Sequence, residues 1–159
     1  MFCVGDKIAH PMHGAGIIED IVENKIDGVV REYYVMRLPV RAMVVMIPTH
    51  NCVEIGVRPI ADSAGAKTIL AELVGLQVDL EQNWNRRYRE NMERLKSGNL
   101  LEVAKVIKAL MVRDAERGLS NGERKMLHSA KEILISELVL ALEDTFENIE
   151  AQVVEALSK

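Results

Sequence analysis

The sequence predicts an α+β chain in two parts: a small antiparallel β barrel or sandwich, then an all-α helical bundle. Three observations predict it. Residues 4–60 hold five short runs rich in Val, Ile and Tyr, punctuated by Pro11, Gly14, Asp27-Gly28, Pro39 and Pro48. From residue 66 the apolar residues recur at helical rather than alternating spacing. Two helix-start signals, Asn99-Leu100-Leu101-Glu102 and Ser120-Asn121-Gly122-Glu123, lie in that second part. The boundaries that follow are residues 1–61 for the β unit and 66–159 for the helical unit. About sixty residues bury little core, so the β unit is expected to lean on a partner or on the rest of the chain.

Val4–Ala9 alternates loosely, and the His10-Pro11-Met12-His13 and Gly14-Ala15-Gly16 segment after it reads as a turn needing glycine dihedrals. Ile17–Val22 is a second strand, and Asp27-Gly28 supplies the two-residue hairpin signal. Val29–Leu38 returns, Pro39 stops it, and Ala42–Ile47 runs until Pro48. Val53–Ile60 is a short fifth strand.

Among the helices, Ala66–Val74 is short and amphipathic, and Gly75–Gln82 is a connector. Asn83 caps a helix that runs to about Lys96 and stops at Ser97-Gly98. The Asn99 helix places Leu100, Val103, Ala104, Ile107, Leu110 and Met111 on one face and ends at Gly118. The Ser120 helix carries Leu127, Ala130, Ile133, Leu134 and Leu138 towards Leu142. A last helix, Glu143–Ser158, opens on acidic residues, which suits the helix dipole, and buries Phe146, Ile149, Val153 and Leu157.

Composition excludes several classes. The 159 residues are 48% hydrophobic and 28% charged, within the globular range. No apolar run approaches the ~20 residues of a membrane helix, and the N-terminus lacks the features of a secretory signal. Two cysteines 49 positions apart point to reduced thiols in a cytoplasmic protein. Net charge is −4 overall but unevenly spread. Residues 84–131 carry 12 Lys/Arg against 6 Asp/Glu, whereas residues 132–159 carry 1 against 7. Any anionic partner is therefore confined to the central third.

Trp84, the only tryptophan, opens the helix Trp84-Asn85-Arg86-Arg87-Tyr88-Arg89. Trp84, Tyr88, Met92 and Leu95 fall within an arc of about 80°, flanked by Arg87 and Arg94 on one side and by Arg89 and Lys96 on the other. Two readings follow. Either Trp84 starts the buried stripe and the arginines snorkel round it, or the indole is an exposed wedge that unstacks a base step while Arg holds neighbouring phosphates. The other basic cluster, Arg113 to Lys125, spans a helix end and the next helix start, where free N–H groups beside Arg124 and Lys125 suit a phosphate.

No cofactor and no catalytic constellation can be argued. His10, His13, His50, Cys3 and Cys52 have no spacing that demands a metal, and Gly14-Ala15-Gly16 is neither a Walker loop nor a dinucleotide fingerprint.

Several segments together resemble a known family. Val4-Gly5-Asp6, His10-Pro11, His13-Gly14-Ala15-Gly16, Glu32-Tyr33-Tyr34, Val45-Met46-Ile47-Pro48 and Gly56-Val57-Arg58 are similar to the polymerase-interacting domain of CarD-type bacterial transcription regulators. The transcription-repair coupling factor carries a related module. Asn83–Tyr88, Leu95–Gly98 and Arg113–Ser120, with Gly122-Glu123 and Lys125–Leu127, extend the resemblance into the helical part, which the coupling factor lacks.

The resemblance implies a Tudor-like β domain docked on the RNA polymerase β subunit, and a helical domain at promoter DNA on the upstream edge of the melted bubble. It implies that Trp84 is exposed and wedges into the minor groove, with Arg86, Arg87 and Arg89, then Arg113, Arg124 and Lys125, on the DNA backbone. The docking surface it implies is Val44, Val45, Met46 and Ile47 with the hairpin near Lys25. Some relatives carry Arg where this chain has Met46, so docking here is expected to lean on strand pairing and apolar contact. A monomeric, non-enzymatic, cytoplasmic regulator that stabilises the open promoter complex is the expectation. The competing one is an interaction module that binds polymerase or another protein without touching DNA.

Overall fold

A computed structural model describes residues 1–79 and 83–159. Five strands pair antiparallel: β1 (Lys7–His10), β2 (Gly14–Ile26), β3 (Val29–Leu38), β4 (Met43–Pro48) and β5 (Arg58–Pro59). Their order across the sheet is β4-β3-β2-β1-β5, and its edges, β4 and β5, do not pair with each other. The sheet is therefore open, not a closed barrel. Asp27 and Gly28 both take positive φ, 53° and 79°, which closes the β2–β3 hairpin in two residues with Ile26 opposite Val29. Tyr34, Met36 and Leu38 of β3 alternate inward with Ile47 of β4. With Ile8, Ile18, Cys52 and Val57 they form a small core of their own.

Three expectations for this half are corrected. The first strand begins at Lys7, because Gly5 (φ 95°) and the Asp6 carboxylate, which accepts from the Cys3 N–H, make a turn of residues 3–6. The glycines at 14 and 16 lie inside β2; the reversal is made by residues 11–13. The fifth strand is only Arg58–Pro59, because Cys52–Ile55 forms a single helical turn, α1, stopped by Gly56 at φ 105°. A proline is tolerated in β5 because that strand is an edge.

The remaining helices are α2 (Ser63–Leu73), α3 (Trp84–Lys96), α4 (Leu100–Arg117), α5 (Asn121–Leu142) and α6 (Phe146–Leu157). Side chains cap each start. Asp62 accepts from the Gly65 N–H, Asn83 from Arg86, Asn99 from Leu101 and Glu102, Ser120 from Glu123, and Thr145 from Asn148. The last helix starts at Phe146 rather than Glu143, since Glu143 adopts a left-handed φ of 53° that ends α5. The expected apolar stripes of α4, α5 and α6 are buried, with Met111, Leu127 and Phe146 only partly so. Leu80, Glu81 and Gln82 of the expected connector lie outside the described residues.

α5 is central, touching α2, α4, α6 and, on its other side, β2. Gly14 is what lets β2 reach it. A Cβ at that position would lie 2.5 Å from the Ser136 hydroxyl and 3.2 Å from the Ile133 Cα, and φ is +88°. Gly14→Ala is expected to cost about 2–4 kcal/mol, from a left-handed alanine plus overpacking against α5. Thermal denaturation measures it; an unchanged Tm would mean that β2 and α5 separate easily.

Candidate nucleic-acid interface

Asn83 fixes where α3 begins, and so where Trp84 stands: at the first helical position. Trp84 is 46% exposed. Its inner face stacks on Tyr88, with ring centroids 5.2 Å apart and planes 17° from parallel. Tyr88 in turn packs on the helical core, so one face of the half-exposed indole is supported. The first turn of α5 lies alongside: a Cβ on Gly122 would be 3.8 Å from the Tyr88 ring. Between them runs a groove of about 230 Å³, walled by Met92, Met126 and Tyr88, with Lys125 also lining it.

Of the basic residues singled out in the sequence, Arg86, Arg89, Arg124 and Lys125 are exposed around this feature. Arg87 is not. It is 7% exposed, and its Nε donates to Glu123 Oε2 at 2.9 Å, so its side chain is enclosed between α3 and α5. Arg113, at the end of α4, turns its Nε to the other oxygen of the same carboxylate, 3.5 Å away. Expected as contacts to the DNA backbone, these two arginines instead tie three helices to one buried glutamate. Burial raises the Glu123 pKa, but the hydrogen bond and charge of Arg87, the charge of Arg113 and a backbone bond from Ser120 outweigh it. The carboxyl is held below its ordinary value. The sequence marks Glu123 as a helix-start residue within a segment of the family resemblance, and nothing local points to its two partners. Nor does Glu102 complete a capping box with Asn99: it pairs with Lys105 at 3.1 Å and Arg94 at 3.4 Å.

On the sheet, β4 is an edge strand whose outward face shows Val44 and Met46, 51% and 44% exposed. Val45 is half-buried, and Ile47 is 1% exposed beside Tyr34, so its side chain is core and not a docking contact. Lys25 is exposed near the β2–β3 hairpin tip, beside exposed Ile26, Val29 and Val30. An edge strand with an apolar outer face suits strand addition by a partner.

The histidines make no site of this kind. His10 and His13 lie 4.6 Å apart between ring centroids, and His10 Nδ1 accepts from the Met12 N–H. Burial and then the His13 charge push His10 down to about 4; burial and then Arg41 lower His13. His50 faces Arg31 instead. Among the described residues, no three His, Cys, Asp or Glu side chains gather as metal ligands would.

With this geometry in hand, the likeness to known proteins is specific. Residues 2–61 match the CarD-like/TRCF RID domain, and residues 68–154 match the CarD C-terminal domain. The chain belongs to the CarD family. A Bacillus subtilis (strain 168) protein described as "Putative transcription factor YdeB" is 41% identical over 138 residues, spanning 87% of this chain and 90% of that one. The solution structure of the 72-residue N-terminal domain of Myxococcus xanthus CarD is 29% identical, with a TM-score of 0.33, and covers 37% of this chain and 79% of that one. The RID module is an RNA polymerase-interacting domain, so this CarD-family chain is a transcription-related, polymerase-interacting factor. The family's domains are transcription-factor-like and non-catalytic. Among the described residues, no helix is long and apolar enough to cross a membrane.

Proposed function

We propose that this CarD-family protein docks through the β4 edge and the neighbouring hairpin on the RNA polymerase β subunit. So anchored, it stabilises the open promoter complex by setting Trp84 into the minor groove at the upstream edge of the bubble. Arg86, Arg89, Arg124 and Lys125 hold the flanking phosphates, a monomer suffices, and no bond is made or broken. The half-exposed indole at the head of α3, supported on one face by Tyr88, is the observation that carries this reading.

An acidic protein can act on DNA in this way because docking raises the local concentration of its one basic region at the promoter. The indole stabilises the melted state only by the difference between its affinity for open and closed DNA. A difference of ~1.4 kcal/mol moves that equilibrium tenfold. Minor-groove insertion also accounts for the absence of any need for a base-reading helix.

The single Trp84 makes the test direct. Replaced by 7-azatryptophan, which is excited apart from the tryptophans of polymerase, it is expected to be open to iodide quenching in the free protein and in the polymerase complex. On an open promoter it is expected to be shielded. Quencher resistance in the free protein, or equal quenching with and without promoter DNA, would overturn the reading.

A further inference from the structure

The β unit and the helical bundle are joined by more than residues 60–63. Glu137, in the C-terminal third of α5, is 1% exposed, and its carboxylate faces the β unit. Both terminal guanidinium nitrogens of Arg58 on β5 reach it, Nη1 to Oε2 and Nη2 to Oε1, each at 2.9 Å. The Ala61 N–H donates to Oε2 at 2.9 Å, and the same arginine donates to the Gly98 carbonyl at the α3–α4 turn. One arginine on the edge of the sheet thus grips α5 and the end of the helix that begins with Trp84.

The rest of the contact reinforces that grip. The Ala15 N–H donates to the buried Ser136 hydroxyl at 2.9 Å, and Arg41 pairs with Glu132 at 2.8 Å. Lys7 donates to the Leu140 carbonyl at 3.3 Å. The anchoring points therefore run along α5 from Glu132 to Leu140, two turns of helix. A bidentate pair with its carboxylate buried fixes orientation as well as separation, and Arg58 sits where β5 pairs with β1, so the grip on α5 is passed to the sheet.

We propose that Arg58 and Glu137 are positioning residues: they lock the sheet and the bundle into one rigid body, so that a protein docked by β4 presents Trp84 at a set distance and angle. This rests on the docking and wedge reading above. A flexible joint would raise the indole's local concentration over a volume, whereas a fixed one aims it, and the advantage of tethering is greatest when the span matches the sites. Arg58 and Glu137 touch neither partner; they act through the orientation of α3.

The chain carries its own ruler. Cys3 on the β unit is exposed and Cys52 is buried, so a maleimide acceptor on Cys3 and the lone Trp84 report the span by energy transfer in the free protein. The variants are Glu137→Gln and, so that no buried charge is left unpaired, the double Arg58→Met, Glu137→Gln.

The wild type is expected to show a single narrow distance and the variants a broadened one, with polymerase affinity within twofold and open-complex lifetime shortened at least threefold. A merely structural role would instead lower polymerase affinity and lifetime together. A distance distribution unchanged in both variants overturns the proposal, as does a broadened one with an unaltered lifetime. Should Trp84→Ala leave the lifetime of the wild-type complex untouched, the wedge reading fails; should Trp84→Ala shorten it and the Arg58 and Glu137 variants not, the positioning proposal alone fails.

Discussion

Trp84→Ala is expected to remove most of the protein's effect on open-complex lifetime while leaving its fold and its polymerase affinity in place. The reason is how the side chain is held. It is half-exposed, and it stacks on Tyr88. Losing such an aromatic pair costs about 0.5–1.5 kcal/mol. For a chain of this length that is a Tm change of only a few degrees, at roughly 2–4 °C per kcal/mol. On DNA the same ring would stack against a base exposed at the bubble edge. Base–aromatic stacking contributes about 1–3 kcal/mol, which corresponds to roughly 5- to 150-fold in an equilibrium. Competitor-challenged open complexes, timed with and without the protein, give the lifetime; binding to polymerase without DNA gives the control. A collapse of cooperative unfolding in Trp84→Ala would assign the indole to the core. An unshortened lifetime would leave docking as the protein's only action.

What the sequence reveals of this arrangement is local, and what it hides is tertiary. The Asp27-Gly28 hairpin, the caps at Asn83 and Ser120 and the apolar stripes of α4 and α5 depend on residues within a few positions of each other, and each is legible. Val53–Ile55, most of α1, is misread as the start of a strand because four residues are too few to show a period, and a glycine in the left-handed region decides the matter. The arginines of α3 show the limit most clearly. Arg87 and Arg89 flank opposite sides of the Trp84–Tyr88 stripe, and nothing within α3 says which flank meets another helix. The answer comes from Glu123, 36 positions on, which draws Arg87 inward and leaves Arg89 in solvent. Arg58 and Glu137, 79 positions apart, leave no local trace at all.

The carboxylate that makes that choice is also where a small substitution is expected to do the most damage to stability. Glu123 is 2% exposed and meets two arginine side chains, one of them equally enclosed. Glu123→Gln keeps the size of the side chain and removes the negative charge that the buried Arg87 and the partly buried Arg113 both face. Breaking a buried pair by neutralising one partner costs about 3–5 kcal/mol, a fall in Tm on the order of 10 °C. Removing Lys159 from its solvent-exposed pair with Glu155 is, by contrast, expected to change stability by less than about 1 kcal/mol. The pH dependence has a definite sign. Because the fold holds the Glu123 carboxyl below its ordinary value, its contribution is complete above the unfolded carboxylate pKa of about 4.3. It is lost as the pH falls through the lower, folded value. The Tm gap between wild type and Glu123→Gln should therefore be widest near neutrality and close progressively below about pH 4. A gap that stays constant into acid would mean that Glu123 stabilises the fold by packing rather than by charge. Since Arg87 sets the roll of α3 and Arg113 the end of α4, the same variant at pH 7 should also release the Trp84–Tyr88 stack from the first turn of α5. Open-complex lifetime is then expected to shorten at temperatures where the variant is still folded, tying the buried ion cluster to the exposed indole it supports.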